Sequence, residues 1–392
     1  MNTMMCGGIE KSALSLLSAL NPNLFDITLC LDKMQGELLE FVPQWVTITA
    51  IKYDKIVYLE RKYGAKGLIF NLLRRGKLFS LLKPTGNILY EKMMSKDKER
   101  IHKANRFYKN SKSNENIYDL AVAYSNMEQF LYVNNYIKSK RKVGWFHTQI
   151  DIAREDLKQY SSILAQFDTL FCVSKNLVES TSHYIPEIKH KLKFFPHIIN
   201  TKMMLTWAEK DSASWSTSKR FHILSIGRLS YEKGFDLIPK IAYQLKKDKL
   251  NFEWIILGEG SERIKIQNMI DLLGLSEHVI LGGLSLNPYP YFKTCDVYLQ
   301  PSRIEGFGIT IAEAKVFAKP IISTLTDGAK DQIEHGINGV LVDINENDIY
   351  LSLKSLLLNE KLRQYYSESL NSQPMDNTQG VDLVLHEIEM ID

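Results

Sequence analysis

The sequence predicts an α/β fold in which short parallel strands alternate with amphipathic helices. From residue 222 onward, β-branched runs alternate with helical stretches, which is the pattern of a parallel sheet covered by helices. The first half of the chain shows a weaker alternation of the same kind. A length of 392 residues, at about 150 residues per domain, is consistent with two such domains.

The second half carries the clearer pattern. We predict strands over 222–226, 253–257, 278–281, 296–300, 320–323 and 339–342. Helices are predicted between and after them, over 235–247, 261–273, 309–318, 328–335 and 347–358. Because strand–helix–strand crossovers in a parallel sheet are right-handed, a doubly wound unit is the simplest arrangement of these elements.

The first half predicts strands over 26–31, 45–49, 118–123, 142–146 and 169–173. Residues 205–220 are polar and rich in Ser and Thr, as expected of an exposed linker. We therefore expect an N-terminal domain over 1–205 and a C-terminal domain over 206–375. Residues 376–392 are expected to form a tail that can return to the N-terminal domain.

The composition excludes several classes of protein. Apolar residues at 45% and charged residues at 24% are ordinary globular values, so a disordered or collagen-like chain is excluded. The longest apolar runs are shorter than the ~20 residues that cross a bilayer, and no signal core follows Met1, so we expect a cytoplasmic protein. The four cysteines, Cys6, Cys30, Cys172 and Cys295, are far apart, so neither a zinc site nor a disulfide framework is predicted.

Positive charge is concentrated in residues 51–142, which hold 21 Lys and Arg against 8 Asp and Glu. Within this window, residues 66–83 have apolar side chains at helical spacing with cations between them, including Arg74, Arg75 and Lys77. Such a helix can lie on an anionic membrane, or it can pack on its own domain, and the two are not exclusive. Nucleic acid is not the expected partner, because the sequence carries no helix-turn-helix, zinc or RNA-binding signature.

The stretch 225–234 places two cations after a predicted strand. Arg228 follows Gly227 in the turn, and Lys233 comes five residues later. Doubly wound sheets bind ligands at the carboxyl ends of their strands, and a planar guanidinium with an ammonium suits a diphosphate. A solvated loop would show the same residues.

The stretch 301–314 places two glycines between a strand end and the start of a helix. Gly306 and Gly308 allow backbone amides to approach a ligand, and a helix start adds donors and partial positive charge for a phosphate. Glu305 and Glu313 lie eight residues apart, where carboxylates can accept hydrogen bonds from the vicinal hydroxyls of ribose or hexose. Either residue alone is equally consistent with a surface charge or a helix cap.

With these motifs, the chain resembles the retaining glycosyltransferases of family 4, which have the GT-B fold of two Rossmann-like doubly wound domains facing each other across a cleft. The resemblance depends on the following features: G-R-L-x-x-x-K-G at 227–234, the E-x7-E pair, Leu-Gly-Glu-Gly at 257–260, Gly-Gly-Ile-Glu at 7–10, and His147 after a strand.

The resemblance implies a role for each matching residue. Arg228 and Lys233 would hold the diphosphate of a nucleotide sugar, and Glu313 the ribose. Glu305 would face the transferred sugar. The remaining donor contacts would come from Gly227, Gly258, Gly260, Gly282, Leu284, Gly306, Phe307, Gly308 and Ile309 in the C-terminal domain, and from Gly7 and Gly8 in the opposite domain.

His147 matches the family's sugar-contacting histidine. In many members an Asp or Glu follows it, whereas Thr148 follows it here. The alternative is that His147 has a structural role, which is the more frequent role of a lone histidine.

The implied reaction is hexosyl transfer with retention, by front-face substitution in which the leaving phosphate takes the acceptor's proton. The sequence has no D-x-D motif, in agreement with the family's independence from metal. No cofactor is expected beyond the nucleotide-sugar co-substrate, with a UDP-sugar as the expected donor. The acceptor is expected to be a saccharide or lipid-linked saccharide in surface-polysaccharide assembly (capsule, lipopolysaccharide or similar), at the inner face of the plasma membrane.

One departure concerns the glycine loop, which in the family follows the first strand of the N-terminal sheet. Here only six residues precede Gly7, so the first strand is expected to be missing. Either the true start codon lies upstream, or this is a truncated copy, whether active or inactive. Other hypotheses are a non-catalytic sugar-nucleotide-binding protein of the same fold, and a sugar-nucleotide epimerase, which would need no acceptor.

Overall fold

The computed structural model describes residues 1–53, 96–109, 116–147, 157–216, 220–373 and 375–390. The chain divides into two units. Unit 1 comprises Met1–Met5, Asn21–Pro196 and Val381–Asp392, and unit 2 comprises Cys6–Leu20 and His197–Gly380.

The described residues contain twelve strands: β1 Thr28–Leu31, β2 Thr47–Ala50, β3 Ile117–Ala123, β4 Lys138–Phe146, β5 Thr169–Cys172, β6 Leu192–Phe194, β7 Phe221–Ile226, β8 Phe252–Leu257, β9 Val279–Gly283, β10 Val297–Gln300, β11 Ile321–Thr324 and β12 Val340–Val342. Every predicted strand is present, with its ends shifted by a few residues. The short β6 was not predicted. All strand pairs are parallel, which confirms the α/β class.

The described α-helices are α1 Gly8–Ala19, α2 Lys96–Lys109, α3 Met127–Tyr136, α4 Leu157–Leu164, α5 Lys175–Tyr184, α6 Thr201–Ala208, α7 Ile238–Lys247, α8 Arg263–Leu272, α9 Tyr289–Thr294, α10 Ile309–Val316, α11 Asp327–Lys330, α12 Glu346–Leu358, α13 Glu360–Asn371 and α14 Asp382–Glu389. The helix predicted over 328–335 is only the single turn α11. Beyond Lys330 the helical ladder becomes irregular: the Gln332 N–H donates only three residues back, to Ala329 O, and the Glu334 N–H donates to the Asn338 side chain at 2.9 Å. The helix predicted over 66–83 lies outside the described residues.

Unit 2 contains a six-stranded sheet in the order β12-β11-β10-β7-β8-β9. The chain starts at β7, moves outward through β8 and β9, and then returns to the other side of β7 with β10. The carboxyl ends of β7 and β10 are therefore neighbours where the winding reverses. Open α/β sheets bind their ligands at this switch point.

The core of unit 2 covers both faces of this sheet. Phe252, Trp254 and Ile256 of β8 point into one buried cluster, whereas Ile255 and Leu257 point into the cluster on the other face. Successive side chains of a strand point to opposite faces, so a strand with both faces covered is mainly apolar. The charged exception in β8 is Glu253, whose Oε2 accepts a hydrogen bond from the Ser216 N–H at 2.7 Å. All six residues of β8 are buried.

Unit 1 contains a sheet in the order β3-β4-β5-β6 and a separate pair, β1-β2. Residues 1–5 lie beside the end of β1: the Met1 ammonium donates to Cys30 O at 2.7 Å, and Asp32 N–H donates to Met1 O at 2.8 Å. Buried Met4 continues this contact, because its N–H donates to Gln35 O at 2.9 Å.

The unit boundaries differ from the predicted domain ranges in two places. Residues 6–20 group with unit 2, where Lys11 lies 3.7 Å from Glu313 and Ser12 is hydrogen-bonded to His197. Residues 197–205 also belong to unit 2, because Met204 of α6 packs in its core. Residues 381–390, near the end of the predicted tail, group with unit 1.

The predicted linker over 205–220 does not separate the two units, because it lies within unit 2, although many of its described residues are exposed. Residues 205–208 complete α6. Farther along, the Trp215 ring stacks on His222 at 4.4 Å, and its Nε1 donates to Thr294 Oγ1 at 2.7 Å. A polar composition did not reveal that two tryptophans in this stretch supply apolar surface that packs on unit 2.

Within the described ranges, no helix combines the length and the apolar character required to cross a bilayer.

Candidate active site in unit 2

The turn after β7 carries the two predicted cations. The Arg228 side chain is exposed and forms no hydrogen bond or ion pair within the described part of the chain. Lys233 ends a 3₁₀ turn, Tyr231–Lys233, and is followed by Gly234 at φ +69°. A Cβ at Gly234 would lie 1.9 Å from the Pro301 carbonyl oxygen, so this position requires glycine and brings the turn close to the strand end after β10.

The strand end after β10 supplies the partner of Lys233. Its ammonium Nζ lies 2.7 Å from Glu305 Oε2, although the two residues are 72 positions apart. The Lys233 side chain is 28% exposed and that of Glu305 is 11% exposed, so the pair is partly shielded but reachable from solvent. The switch point of the sheet therefore places together a cation and a carboxylate that the sequence assigned to separate motifs.

A second ion pair joins the same two loops. The Arg303 guanidinium makes two hydrogen bonds to the Asp236 carboxylate, at 2.7 and 2.9 Å, and lies 4.0 Å from the centre of the Tyr231 ring. Burial raises the pKa of Asp236, but the hydrogen bonds and positive charge of Arg303 outweigh it, so the net pKa is lowered. Sequence analysis did not identify this pair, since neither residue belongs to a recognisable motif.

The start of α10 forms the next part of the site. Gly308 is its N-cap residue and Ile309 is its first residue, and no side chain caps the helix. The Gln332 side-chain amide donates to the Phe307 carbonyl, which helps hold the loop before the helix. Unsatisfied N–H groups at such a helix start are suited to an anion.

Glu313 lies within α10 and is only 1% exposed. Its Oε1 accepts a hydrogen bond from Tyr289 OH at 3.3 Å and lies 3.7 Å from Lys11 Nζ, whereas Oε2 has no partner among the described residues. Burial, followed by the Glu313 charge, raises the pKa of Tyr289 well above its ordinary value, so this hydroxyl remains a donor. The contact from Lys11 was not predicted.

The predicted base-binding glycines lie at adjacent strand ends. Gly258 has φ +143°, and a Cβ there would lie 1.9 Å from Gly227 O, so the turn after β8 passes directly against the turn after β7. A Cβ at Gly260 would likewise overlap Leu229 O. The Gly258 N–H donates to Gly283 O at 2.7 Å, which brings the end of β9 alongside, with Gly282 and the exposed Leu284.

The predicted glycine pair near the start of the chain groups with unit 2. Gly7 is the N-cap of α1, and a Cβ at Gly8 would lie 3.3 Å from Ile309. Burial raises the pKa of Glu10, and the positive charge of Arg228 acts in the opposite direction. The predicted loop over 7–10 is thus the start of α1, and the structure brings it to the same end of unit 2 as the start of α10.

His147 directly follows β4 in unit 1, where it is 6% exposed and packs against the Tyr124 ring at 4.8 Å. Burial lowers the pKa of His147 to about 4, against a smaller opposing effect of a hydrogen bond with the Tyr124 backbone, so the ring is neutral near neutral pH. Thr148, Arg74, Arg75 and Lys77 lie outside the described residues. Among the residues that are described, no three or more His, Cys, Asp or Glu side chains converge as metal ligands.

Comparisons with known proteins address this region directly. Residues 208–372 match the profile of the family described as "Glycosyl transferases group 1". The chain is 32% identical over 153 residues to N-acetylgalactosamine-N,N'-diacetylbacillosaminyl-diphospho-undecaprenol 4-alpha-N-acetylgalactosaminyltransferase of Campylobacter jejuni, a match that covers 38% of this chain and 41% of that protein. The chain spans less than half the length of three curated relatives it matches, covering 41%, 47% and 41% of them.

Two solved structures are similar over nearly the whole chain. The complex of Anabaena Alr3699/HepE with UDP and glucose has a TM-score of 0.71 at 14% identity, and the match covers 100% of this chain and 98% of that one. WaaG, a glycosyltransferase involved in lipopolysaccharide biosynthesis, has a TM-score of 0.60 at 12% identity, with 100% and 98% covered. At these identities the similarity shows the fold, which is GT-B. Residues 208–372 thus match the glycosyl transferases group 1 profile, in a chain with the GT-B fold.

Proposed function

We propose that the protein is a retaining, metal-independent glycosyltransferase that moves a hexosyl group from a nucleotide-diphosphate sugar, with UDP-sugar as the expected donor, to a saccharide or lipid-linked saccharide. The observation that carries the proposal is the Lys233–Glu305 pair, 2.7 Å apart at the switch point of the unit 2 sheet, beside the exposed Arg228.

The two cations are suited to stabilise the leaving diphosphate. When the glycosidic bond to the donor breaks, negative charge develops on the diphosphate, and it must be stabilised in place. Arg228 offers a planar fork of donors, Lys233 offers a point charge, and the uncapped start of α10 adds backbone N–H groups. These groups support transfer without a metal ion.

The two carboxylates account for the two sugar rings of the donor. Glu305 lies beside Lys233 and keeps Oε1 outside any hydrogen bond within the described residues, so it is suited to a hydroxyl of the transferred hexose. Glu313 is buried, and its Oε2 likewise accepts no hydrogen bond within the described residues, so this oxygen is suited to the ribose hydroxyls. His147, which is neutral near neutral pH, is proposed as a hydrogen-bonding contact to the sugar.

The acceptor is proposed by analogy with relatives. The Campylobacter relative is named for a saccharide on diphospho-undecaprenol, and WaaG is named for lipopolysaccharide biosynthesis. The basic residues 51–142 match such acceptors in charge, because both the diphosphate and anionic lipid headgroups attract cations. We therefore place the protein in surface-polysaccharide assembly, at the inner face of the plasma membrane.

The proposal is tested by titration calorimetry with UDP, GDP and ADP, followed by assays of nucleotide release from UDP-glucose, UDP-N-acetylglucosamine, UDP-galactose and GDP-mannose. We expect Lys233→Ala to slow release by about 100-fold or more, because one preorganised charge on the leaving group is lost. Its unfolding midpoint should remain close to that of the unaltered chain.

Lys240→Ala is the matched control. Lys240 is an exposed lysine on α7 whose surface pair with Glu346 lies apart from the site residues, so turnover should be unchanged. A Lys233→Ala variant that turns over normally contradicts the proposal. Nucleotide binding without any donor turnover by the unaltered chain supports a non-catalytic binding protein instead.

A further inference from the structure

A continuous chain of buried side-chain hydrogen bonds runs from the core of unit 2 to Glu305. It begins on β10, where Tyr298 OH and Thr310 Oγ1 both donate to Gln300 Oε1, the latter at 3.0 Å. Gln300 Nε2 donates to Ser302 Oγ at 2.7 Å, and Ser302 Oγ donates to Glu305 Oε2 at 3.2 Å. Tyr298, Gln300 and Ser302 are each at most 1% exposed.

We call this series of hydrogen bonds, from Tyr298 and Thr310 through Gln300 and Ser302 to Glu305, the relay. Its direction follows from which groups can donate and which can only accept. The Glu305 carboxylate can only accept, so the Ser302 hydroxyl donates to it and must accept from Gln300. The Gln300 atom beside Ser302 is therefore the NH₂ group, and the amide oxygen faces Tyr298 and Thr310. Ser302 has a single hydroxyl hydrogen and already accepts from Gln300, so that hydrogen points to Glu305. The relay therefore ends with a hydrogen bond that the Ser302 hydroxyl donates to the Glu305 carboxylate.

The relay makes the two oxygens of Glu305 different. Oε2 receives Ser302 at 3.2 Å and Lys233 at 2.7 Å, whereas Oε1 accepts no hydrogen bond within the described residues. A carboxylate on an exposed loop would rotate between equivalent orientations. Here two donors hold one oxygen, so the other keeps a constant direction.

We propose that Ser302 and Gln300 are positioning residues for sugar transfer, which orient Glu305 so that Oε1 accepts a hydroxyl of the transferred hexose while Oε2 remains with Lys233. The inference rests on the proposed function. It assigns no contact between Ser302 or Gln300 and the substrate, since both side chains are buried beneath Glu305. Their effect should appear in the rate of transfer, because misorientation of a contacting group costs more in the transition state than in binding.

The test compares Ser302→Ala with Ser323→Ala. Ser323 is also a fully buried serine, on the neighbouring strand β11, and its hydroxyl donates only to Thr324 O. For the donor in the panel above that the unaltered chain uses fastest, we expect Ser302→Ala to lower kcat about tenfold, with KM for the donor and Kd for UDP within about twofold. Ser323→Ala should leave kcat and KM unchanged.

Two further variants sharpen the result. Ser302→Thr keeps the hydroxyl and should restore most of the kcat. Gln300→Glu replaces the amide donor by an acceptor, so the Ser302 hydrogen turns to the new carboxylate and kcat should fall as in Ser302→Ala. Thermal unfolding of each variant confirms that it is folded.

The relay is overturned if Ser302→Ala has the kcat of Ser323→Ala, or if its affinity for UDP falls in proportion to kcat. The proposed function is tested separately, by measuring nucleotide release with the unaltered chain. If that chain releases nucleotide from none of the four donors, the proposed function is contradicted, and the relay's role in transfer with it.

Discussion

Glu387 and Arg141 are 246 positions apart in the chain, yet the Glu387 carboxylate accepts a hydrogen bond from the Arg141 guanidinium at 2.7 Å. The same carboxylate, 1% exposed, also accepts from Lys193 Nζ and Thr169 Oγ1, both at 2.8 Å. One side chain of α14 thereby binds β4, β5 and the edge strand β6, and this attaches the end of the chain to the unit 1 sheet.

Glu387→Ala should destabilise unit 1 by about 3 kcal/mol, because it leaves the shielded Arg141 guanidinium without its carboxylate. Urea-induced unfolding measures the change. Glu389→Ala, at an exposed position of the same helix, should shift the unfolding free energy by less than about 0.5 kcal/mol. Equal effects of the two substitutions would contradict the proposed attachment.

The same contact predicts a pH dependence. Burial raises the pKa of Glu387, but hydrogen bonds from Lys193, Arg141 and Thr169 outweigh it, so the folded pKa is below the ordinary value of 4.5. A lowered carboxylate pKa stabilises the fold above the unfolded pKa, and this stabilisation is lost as pH falls through the folded pKa. The difference in unfolding free energy between the unaltered chain and Glu387→Gln should therefore be constant near neutral pH and decrease below about pH 4.5. A difference that grows on acidification would contradict this assignment.

Gly234→Ala should disturb both stability and turnover. The added methyl group would overlap the Pro301 carbonyl at 1.9 Å and would also be strained at φ +69°, so the turn that carries Lys233 must move. Gly336→Ala is the matched control, since its φ of +79° gives the same strain but nothing lies within 4 Å. We expect Gly336→Ala to cost about 1 kcal/mol without affecting nucleotide release. Gly234→Ala should cost more and slow release, and equal behaviour would exclude the steric explanation.

Glu313→Gln should weaken UDP binding about tenfold, because an amide replaces the buried carboxylate proposed to bind the ribose hydroxyls. The affinity for 2′,3′-dideoxy-UDP, which lacks those hydroxyls, should change by less than about twofold. Titration calorimetry with both ligands measures the two effects. A similar loss for both would mean that Glu313 acts on the general shape of the site and does not contact ribose.

The basic stretch 66–83 predicts membrane binding. The full chain should float with vesicles that contain phosphatidylglycerol and not with pure phosphatidylcholine, and alanine at Arg74, Arg75 and Lys77 should abolish flotation, since each cation contributes about 1 kcal/mol. Alanine at Lys246, Lys247 and Lys249, which removes three exposed cations from unit 2, is the control. If flotation survives the first set of changes, the stretch does not bind membranes.

Local patterns in the sequence predicted every described strand except β6, and five helices of unit 2, whereas none of the described helices of unit 1 was predicted. Runs of β-branched residues such as Ile321–Thr324 identify a buried parallel strand because every position along it is covered. The predicted loops after β7 and β10 are also where the candidate site lies, since parallel strands share one edge for their carboxyl ends. By contrast, the predominantly polar composition of residues 205–220 concealed the tryptophans that pack on unit 2. The residues of α1 also did not reveal that this helix belongs to unit 2.

The sequence by itself determined nearly all the strands, five of the unit 2 helices and the residue types suited to a diphosphate and two sugar rings, because these depend on neighbours close in the chain. Only the tertiary structure decided that Lys233 lies beside Glu305, that Asp236 pairs with Arg303, and that Gln300 is linked through Ser302 to the Glu305 carboxylate by hydrogen bonds. Each of these contacts depends on β10 returning beside β7, a strand order that no local pattern encodes, since it follows from how the whole sheet covers its two faces.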